Sequence, residues 1–423
     1  MTDRIRRIAV VGRSIYALHG VGGLERHLYD LVRYHLDAGW HVTLITRTPA
    51  RPEGADPERW KIIRDHPRCA VRFVPYYTFP LAGRRGTTIL DRSTAYPWFG
   101  LRAGRLAADL AAAGDIDAVY GVGAAVYGYA GRHRKPGGPR MPLVFNPQGM
   151  EEFGGADGGY GGRSLKAVGY APLRSVVRAT ARGADAIIAT DRSIAPIVRT
   201  HLGTNDHRVI VIPNGLDVVA GDTLVDAARG RELRERQGIP SGDALLVSVG
   251  RLEANKGFLD LAEALARVSS AQPWRWVLVG SGPDGDRLAR HLAERGLSDR
   301  VTLTGRLADD ALHRWYDAAD LFVHPTRYEG SSLVTLEAML HRKPVLATRT
   351  GGLPDKVVPG STGWLVPPGD VASLSSALDE AFTARDRWRA YGAAGRALLE
   401  SEFDWRVIQR QFAALYDRLI AGA

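Results

Sequence analysis

Two glutamates placed eight positions apart raise the question of what chemistry this sequence could carry. They lie in the stretch Tyr-Glu-Gly-Ser-Ser-Leu-Val-Thr-Leu-Glu-Ala-Met at residues 328–339. Glu329 stands beside a glycine and two serines, whereas Glu337 lies within an apolar run. A carboxylate can accept hydrogen bonds from two adjacent sugar hydroxyls, and helical periodicity can put both glutamates near one ligand. The alternative for Glu337 is a local pairing within its own helix.

The turn between the glutamates is predicted to begin a helix. A strand is predicted over residues 321–324, and Ser331 or Ser332 can cap the helix that follows. The backbone N–H groups of Ser332, Leu333 and Val334 would then face the crevice at the carboxyl end of the strand, where open α/β sheets bind ligands. The arrangement therefore favours an anionic group such as a phosphate.

Two basic residues follow another predicted strand, over residues 244–250. Arg251 and Lys256 come after Gly250 in the run Gly-Arg-Leu-Glu-Ala-Asn-Lys-Gly, and a helix is predicted to begin there. Two fixed cations beside the amino end of a helix make an anion site. We weigh this interpretation above solvated surface charges, because both cations follow a buried strand.

A glycine pair follows the first predicted strand of the chain. Gly22 and Gly23 stand where a loop leads into a helix, and without Cβ atoms they let the backbone approach a ligand. The spacing is not that of the dinucleotide-binding G-x-G-x-x-G motif. A simple tight turn is the alternative.

Length and composition restrict the class of protein. A chain of 423 residues fits two or three domains. The single cysteine, Cys69, excludes a disulfide framework and a cysteine-rich zinc site, and it is interpreted as a structural residue in a reducing cytosol. No apolar run approaches the roughly 20 residues of a membrane span. We therefore expect a cytoplasmic protein.

The net charge of +10 is distributed unevenly. Residues 1–208 hold 30 Lys and Arg against 18 Asp and Glu, a net charge of +12, which leaves −2 for the rest of the chain. A basic first half could make a peripheral contact with an anionic membrane, and a solvated arginine-rich surface explains the charge equally well. We expect no nucleic-acid partner, because no basic helix with interleaved aromatics and no stacking motif occurs.

Apolar runs of strand length alternate with helical patterns along the whole chain, which predicts parallel sheets covered on both faces. Strands are predicted over residues 8–11, 41–46, 70–74, 118–121, 142–146, 186–190 and 209–212, and then over 244–250, 276–280, 301–304, 321–324, 344–347 and 363–366. Helices are predicted over residues 24–38, 101–113 and 172–182 among others. The fold class is therefore α/β, with two doubly wound domains.

Turn chemistry at Asn214-Gly215-Leu216-Asp217 marks the end of the first half. We predict one domain over residues 1–212 and a second over residues 213–403. Residues 404–423 are predicted to form an amphipathic helix with a packing face. The glycine-rich segment at residues 153–162 is predicted to be a loop, either a lid or a flexible insertion.

In their order and spacing, these motifs resemble those of glycosyltransferase family 4, which are retaining enzymes of the GT-B fold. The resemblance covers nearly the whole chain and rests on Gly22-Gly23, Asn214-Gly215-Leu216-Asp217, Gly250-Arg251-Leu252 with Lys256-Gly257, and Glu329 with Glu337-Ala338-Met339. It implies two Rossmann-like domains facing across a cleft. The first would take the acceptor and the second the nucleotide sugar, and the terminal helix would cross back onto the first.

The resemblance also implies a role for each matched residue. Arg251 and Lys256 would neutralise the donor diphosphate as the sugar leaves, together with the amides of Ser332, Leu333 and Val334 and the loop at Gly22 and Gly23. Glu337 would hold the ribose hydroxyls, and Glu329 would contact the transferred sugar. Gly305 and Arg306 would lie near the nucleobase, and Gly250 would belong to the same donor site. Catalysis is assigned to Arg251, Lys256 and Glu329, with no metal and no cofactor.

The sequence departs from the family pattern in two places. Gln148 stands where family members often carry a histidine, and Glu151 or Glu152 could supply a carboxylate nearby. Ser331-Ser332 stands where Phe-Gly is common, so that a hydroxyl either reaches the donor or only caps the helix. His19 and His133 are further acceptor-side candidates, with solvated surface histidines as the alternative.

The leading hypothesis is a retaining glycosyltransferase of the hexosyl or N-acetylhexosaminyl type. Its donor would be a UDP- or GDP-sugar, and its acceptor a small molecule or a lipid-linked group. A nucleotide-sugar epimerase of the same architecture is one alternative, but it needs a second acid that is not evident. A non-catalytic protein that binds a nucleotide sugar or a membrane surface is another, against which the intact Arg251, Lys256, Glu329 and Glu337 argue.

Overall fold

The computed structural model describes residues 6–20, 22–78, 88–148, 150–154, 168–204 and 206–422, apart from the side chains of Thr88, Glu151 and Asp206. Most of the glycine-rich loop predicted at residues 153–162 lies outside the described residues. The chain divides into two compact units. Unit 1 comprises Met1–Asn214 and Trp405–Ala423, and unit 2 comprises Gly215–Asp404.

Unit 1 is built on a seven-stranded parallel sheet with the order β3-β2-β1-β4-β5-β6-β7. Its strands are β1 (Arg7–Val11), β2 (His41–Arg47), β3 (Cys69–Val74), β4 (Ala118–Val122), β5 (Leu143–Asn146), β6 (Ala186–Ala189) and β7 (Val209–Val211). The central strands are buried on both faces, which explains their uninterrupted apolar sequences. All seven strands predicted for the first half are confirmed.

Helices cover both faces of this sheet. They are α1 (Gly23–Asp37), α2 (Pro57–Arg64), α3 (Thr88–Ala112), α4 (Tyr127–His133), α5 (Ala171–Gly183) and α6 (Ala195–Leu202). The start predicted for α3, at residue 101, is wrong, because the helix begins at Thr88 and continues through Pro97. The Tyr96 hydroxyl donates to the Val122 carbonyl at 2.8 Å and Phe99 is fully buried, so packing holds a helical turn that the proline disfavours locally.

Unit 2 is built on a six-stranded parallel sheet with the order β10-β9-β8-β11-β12-β13. Its strands are β8 (Ala244–Val249), β9 (Trp274–Val279), β10 (Val301–Gly305), β11 (Leu321–His324), β12 (Val345–Thr348) and β13 (Gly363–Val366). Each predicted strand of the second half is again present. The reversal of strand order between β8 and β11 is the switch point at which such sheets bind ligands.

The helices of unit 2 form two layers, one on each face of the sheet. They are α7 (Val218–Asp222), α8 (Ala227–Arg236), α9 (Phe258–Leu265), α10 (Gly285–Glu294), α11 (Asp309–Ala318), α12 (Leu333–Leu340), α13 (Val371–Thr383) and α14 (Trp388–Leu398). One core contains α9, α10 and α13, and the other contains α7, α11 and α12. The two doubly wound, parallel-sheet domains confirm the predicted fold class.

The last helix, α15 (Trp405–Ala421), belongs to unit 1. Its apolar stripe is buried in the same core as α1, and the buried members are Trp405, Ile408, Phe412, Leu415 and Tyr416. His35 of α1 lies 2.6 Å from the Gln409 side-chain oxygen. In the described part of the chain, no helix has both the length and the apolar character needed to cross a membrane.

Candidate functional site

The loops that follow β8 and β11 are fastened to each other at the carboxyl edge of the unit 2 sheet. The backbone carbonyl of Asn255 accepts hydrogen bonds from the Thr326 hydroxyl at 3.0 Å and from the Arg327 N–H at 2.7 Å. Gly257 has a φ of +68°, and a Cβ atom there would lie 2.0 Å from the Pro325 carbonyl oxygen. Only glycine allows this approach without strain. The contact brings residues of the two loops together.

A cation and a histidine converge on one oxygen of Glu329. Lys256 Nζ lies 2.9 Å from Glu329 Oε2, and His324 Nε2 lies 3.0 Å from the same atom. The Gly330 N–H donates to the other oxygen, Oε1, at 3.1 Å. The carboxylate is therefore held by three donors from two loops and the end of a strand.

These contacts determine the protonation of the cluster. Burial alone would raise the pKa of Glu329, but the His324 hydrogen bond and the Lys256 charge outweigh it and hold the pKa at about 2. Burial lowers the pKa of His324, so that its ring is neutral and Nε2 carries the proton that it donates. Glu329 is thus a permanent carboxylate that can accept hydrogen bonds and cannot act as an acid near neutral pH.

Arg251 lies on the same β8 loop but is placed differently from Lys256. Its side chain is 73% exposed, and its guanidinium pairs with Glu253 at 2.8 Å. An exposed ion pair of this kind is weak, so an incoming anion can displace Glu253 at little cost. The structure brings Lys256 and Glu329 together and leaves Arg251 at the solvent-facing side of the loop.

The amino end of α12 presents backbone donors beside this cluster. Ser332 is its N-cap, with the hydroxyl accepting from the Thr335 N–H at 3.3 Å, so the predicted cap is confirmed at Ser332. Within the described residues, the N–H groups of Leu333 and Val334 have no hydrogen-bond partner. Ser331 is not the cap, since its hydroxyl accepts from Lys356 Nζ at 3.2 Å. Two free amides at a helix start suit an anion.

Glu337 is buried within α12. Its Oε2 atom accepts a hydrogen bond from the Tyr316 hydroxyl of α11 at 2.9 Å. The same hydroxyl lies 3.2 Å from the Val334 carbonyl, so Tyr316 ties Glu337 to the first turn of its own helix. One hydrogen-bond partner of Glu337 therefore comes from a neighbouring helix.

Three glycines meet where β8, β9 and β10 end. A Cβ atom on Gly280 would lie 1.8 Å from the Gly250 carbonyl oxygen. The Gly280 N–H donates to the Gly305 carbonyl at 2.9 Å. Gly305 has a φ of +71° and open space around its Cα. Arg306 next to it is exposed. The two residues predicted near the nucleobase thus lie at the same sheet edge as Lys256.

The predicted ligand residues of unit 1 also follow strands. Gly22 and Gly23 are exposed at the amino end of α1, after β1. Gly22 is the N-cap, and as a glycine it provides no side-chain hydrogen bond to the first turn. Gln148 follows β5 with a φ of +65°, and its N–H donates to the Asn146 side chain at 3.0 Å. A left-handed glutamine is strained, and such strain is frequent at binding sites. The Glu151 side chain lies outside the described residues.

The two predicted histidines of unit 1 are both engaged by the backbone and neither is simply solvated. His19 accepts from the Ile15 N–H at 3.2 Å and faces the Arg47 carbonyl at 2.9 Å, and burial lowers its pKa to about 4. His133 lies between the Pro139 carbonyl at 2.8 Å and Asp185 at 2.7 Å. Its partners stand before β5 and β6, at the amino edge of the sheet, so the structure does not bring His133 together with Gln148.

Three residues of the site region were missed by sequence reasoning. His324 ends the otherwise apolar strand β11, and a histidine directly before a polar turn is the signal that could have found it. Tyr316 and Lys356 lie in other elements, and their contacts with Glu337 and Ser331 depend on tertiary packing. In the described part of the chain, no cluster of three His, Cys, Asp or Glu side chains could hold a metal ion.

Comparisons with known proteins match both units. The family model described as "Glycosyltransferase Family 4" matches residues 21–219, and the model described as "Glycosyl transferases group 1" matches residues 230–398. Alpha-maltose-1-phosphate synthase of Mycolicibacterium smegmatis is 30% identical over 266 residues, covering 60% of this chain and 68% of that protein. The chain spans 43% to 68% of the length of three curated relatives that it matches.

Solved structures share the fold along almost the whole chain. Sucrose-phosphate synthase from Thermosynechococcus elongatus matches with a TM-score of 0.73 at 24% identity, covering 99% of this chain and 100% of that one. HepE of Anabaena in complex with UDP-glucose matches with a TM-score of 0.69 at 21% identity, covering 98% and 100%.

Proposed function

The chain belongs to glycosyltransferase family 4, and we propose that it transfers a hexosyl or N-acetylhexosaminyl group from a nucleoside diphosphate sugar to an acceptor hydroxyl with retention of configuration. The observation that carries this proposal is the Lys256–Glu329–His324 cluster beside the amino end of α12. It combines a cation, free amides and a permanent carboxylate at the switch point of the sheet. That set suits a ligand with a diphosphate at one end of a sugar.

In the proposed reaction, the bond between the anomeric carbon and the diphosphate oxygen breaks, and its electron pair stays on that oxygen. Lys256, Arg251 and the amides of Leu333 and Val334 stabilise the developing negative charge. The acceptor oxygen bonds to the anomeric carbon on the face that the diphosphate leaves, and its proton passes to the leaving phosphate oxygen. Glu329 accepts a hydrogen bond from the transferred sugar and does not act as a nucleophile.

The remaining contacts follow from the same placement. We assign the ribose hydroxyls to Glu337 and the nucleobase to the neighbourhood of Gly305 and Arg306. UDP and GDP sugars are the proposed donors, and the UDP-glucose complex of HepE supports the first. Gln148 remains our candidate for the acceptor, which we propose to be a small molecule or a lipid-linked group.

We also propose a peripheral contact of the basic unit 1 with an anionic membrane. Exposed aromatic side chains support it, since Trp98 is 56% exposed, Tyr77 is 64% exposed and Arg102 lies 5.8 Å from the Tyr77 ring. Aromatic and cationic groups together favour an anionic interface. Sedimentation with phosphatidylglycerol vesicles tests this contact, and equal binding to neutral vesicles would contradict it.

The proposed function is tested by nucleotide binding followed by turnover. A folded protein that binds UDP or GDP at a hundred times the Kd gains about 2.7 kcal/mol, which raises the thermal midpoint measurably. The corresponding sugar nucleotides are then incubated with the protein, and release of the sugar is followed by mass spectrometry. A rise of the thermal midpoint with only one of UDP and GDP would identify the nucleotide of the donor.

The Arg251→Ala variant separates catalysis from folding. We expect it to lose transfer or hydrolysis by at least about 100-fold, because an exposed cation at the diphosphate is removed and the fold is not touched. Arg290→Ala, on the exposed face of α10, is the matched control and should retain wild-type activity. Full turnover in Arg251→Ala would remove that residue from the mechanism. Absence of any nucleotide-dependent shift in the wild type would overturn the proposed function.

A further inference from the structure

Two arginines lie around one aromatic ring at the carboxyl edge of the unit 1 sheet. Arg13 follows β1 by two residues, and Arg47 is the last residue of β2. Their guanidinium carbon atoms lie 5.8 Å and 5.7 Å from the centre of the Tyr76 ring, which follows β3. The Arg13 guanidinium also lies 4.8 Å from the Tyr96 ring of α3. The strand order reverses between β1 and β4, so this edge is where the sheet is expected to bind a ligand.

Hydrogen bonds fix the backbone that carries both arginines. The Thr46 hydroxyl donates to the Arg13 carbonyl at 3.3 Å, which joins the end of β2 to the loop after β1. The Nε2 atom of His19 donates to the Arg47 carbonyl at 2.9 Å, because its Nδ1 atom accepts from a backbone N–H. His19, one of the predicted acceptor-side residues, therefore holds the backbone of Arg47 in place.

The two guanidinium groups are not neutralised by ion pairs. Within the described residues neither arginine forms an ion pair, and the buried Nε atom of Arg47 has no hydrogen-bond partner. Burial and then the charge of Arg13 lower the pKa of Arg47, and each has a larger effect than the neighbouring carboxylates of Glu25 and Asp91. Arg47 still stays protonated, because an arginine does not lose its proton in a protein. The protein thus holds two like charges in a partly buried site.

Asp91 of α3 is directed at the same tyrosine and leaves one of its oxygens unused. Its Oδ2 atom accepts from the Tyr76 hydroxyl at 2.8 Å, and that hydroxyl lies 3.4 Å from Arg13 Nη1. Its buried Oδ1 atom has no partner in the part of the chain that the structure describes. The cluster therefore contains an unused donor on Arg47 and an unused acceptor on Asp91. Unpaired buried polar atoms cost free energy, and a ligand with an oxyanion and a hydroxyl would satisfy both.

Stacking on tyrosine explains only part of this arrangement. An aromatic ring within about 6 Å stabilises a guanidinium group, but a second guanidinium at the same ring adds repulsion. A carboxylate has one negative charge and matches one guanidinium group. A phosphate group carries up to two negative charges and has enough oxygens for both arginines, so it removes the repulsion as well.

We propose that Arg13 and Arg47 bind a phosphate group carried by the acceptor. The inference rests on the proposed function and deepens it, because it names the chemical class of the acceptor. Asp91 accepts a hydrogen bond from a hydroxyl of the same molecule, and Tyr76 holds Asp91 and Arg13 in register. The phosphate is recognised and takes no part in bond making, and it belongs to a small molecule or to a lipid.

Binding of two phosphate probes distinguishes these sources and tests the assignment. Glycerol 3-phosphate represents a small molecule, and monomeric dihexanoyl phosphatidic acid represents a lipid. Their Kd values are measured by calorimetry with UDP or GDP at saturation, so that the donor site is already filled. The probe that binds more tightly identifies the source of the phosphate. Glycerate, which carries a carboxylate, should bind more weakly than glycerol 3-phosphate.

The arginine variants show where the probe binds. We expect Arg13→Gln and Arg47→Gln each to raise the Kd of the better probe at least about tenfold, since each removes hydrogen bonds from a charged donor to the phosphate. The Kd of UDP or GDP should stay unchanged in both variants, because neither arginine belongs to the proposed donor site.

Two further variants keep the test decisive. Arg33→Gln is the matched control, because Arg33 also stacks on a tyrosine, 4.4 Å from the Tyr34 ring, but pairs with Asp37 at 3.3 Å. It should bind the probe like the wild type. Arg47→Lys keeps the charge and removes the Nε donor, so we expect a smaller loss of affinity, about threefold. It decides the question if Arg47→Gln fails to fold.

The outcomes separate this inference from the proposed function. If the wild type binds neither UDP nor GDP, the proposed function fails. If it binds one of them but neither phosphate probe, or if the Arg13 and Arg47 variants bind the probe as tightly as the wild type, only the acceptor assignment is overturned. An equal loss of nucleotide and probe affinity would also overturn it, because an arginine with a merely structural role would have that effect. Glycerate binding as tight as that of glycerol 3-phosphate would overturn the choice of a phosphate.

Discussion

Glu329 is held by three hydrogen-bond donors, and this arrangement limits its part in the proposed reaction. With a pKa of about 2 it stays ionised at any working pH, so it cannot donate a proton to a leaving group. Lys256 uses one of its three N–H bonds on Glu329 and keeps two for a phosphate. The pair therefore provides an acceptor for a sugar hydroxyl and a donor for a phosphate at adjacent positions.

Tyr316 is predicted to control donor affinity through Glu337. Tyr316→Phe removes the hydroxyl that donates to Glu337 Oε2, so the carboxylate loses a contact that orients it for the proposed ribose interaction. We expect the KM for the donor to rise about three- to tenfold with kcat nearly unchanged, because a ribose contact is equal in the ground and transition states. Initial rates at varied donor concentration measure both constants.

Tyr391→Phe is the control for this prediction. Tyr391 is buried in the same unit, in the core that contains α9 and α10, and makes no described contact with Glu337. Its replacement should leave the donor KM unchanged. A Tyr316→Phe variant with normal KM and reduced kcat would contradict the ribose assignment.

At the scale of elements, the site depends on two loops that only glycine allows to meet. Gly257→Ala should destabilise the protein by more than about 2 kcal/mol and abolish transfer, since the added Cβ combines a left-handed φ with a collision against Pro325. Gly305→Ala is the comparison, because Gly305 has a similar φ but nothing within 4 Å of the added atom. Strain alone should cost it about 1 kcal/mol.

Chemical unfolding of both variants distinguishes collision from strain. The difference in unfolding free energy between Gly257→Ala and Gly305→Ala reports the close approach to the Pro325 carbonyl. Equal losses in the two variants would show that the loops after β8 and β11 can separate without cost. The Lys256–Glu329 contact would then not depend on this glycine.

The strands were predictable from the sequence for a physical reason, whereas the contacts of the site were not. Parallel strands buried on both faces have continuous apolar sequences, and all 13 appeared where those runs occur. The first half of α3 was missed because a proline such as Pro97 disfavours a helix when only the local sequence is considered. The helix is stabilised there by the packing of Phe99 and Tyr96. Lys256 and Glu329 are 73 residues apart, so their motifs predicted a shared edge but not their ion pair.

Lys356 shows the limit of sequence reasoning most clearly. It stands in an apolar run, Leu-Pro-Asp-Lys-Val-Val, where a lysine is expected to reach solvent. Its burial follows only once the β12 loop packs against the β11 loop. Motif recognition named the residues that we propose to contact a ligand, and tertiary structure located those that support them.

At the scale of the whole molecule, the chain leaves unit 1 after Asn214 and returns to it at Trp405. The returning helix α15 packs beside α1, where His27 lies 5.3 Å from the Trp405 ring and His35 bonds Gln409. Both histidines are buried, so protons can reach them only if this packing opens. The attachment of α15 should therefore depend on pH.

Acid is predicted to destabilise unit 1 through these two histidines. Burial lowers the pKa of His27 to about 4 and that of His35 to about 3, from 6.5 in the unfolded chain. At a pH between the folded and the unfolded pKa, the unfolded chain binds more protons than the folded chain. The stabilisation that comes from the neutral histidines is therefore complete above about pH 6.5 and is lost as the pH falls towards 4. Each unit of pKa difference corresponds to about 1.4 kcal/mol.

Hydrogen exchange in peptides of α1 and α15, measured from pH 7.5 to 4.5, should show faster opening at low pH. His35→Asn should flatten this dependence, whereas His41→Asn, at an exposed position, should leave it unchanged. An identical pH dependence in His35→Asn and the wild type would assign the acid sensitivity to other groups.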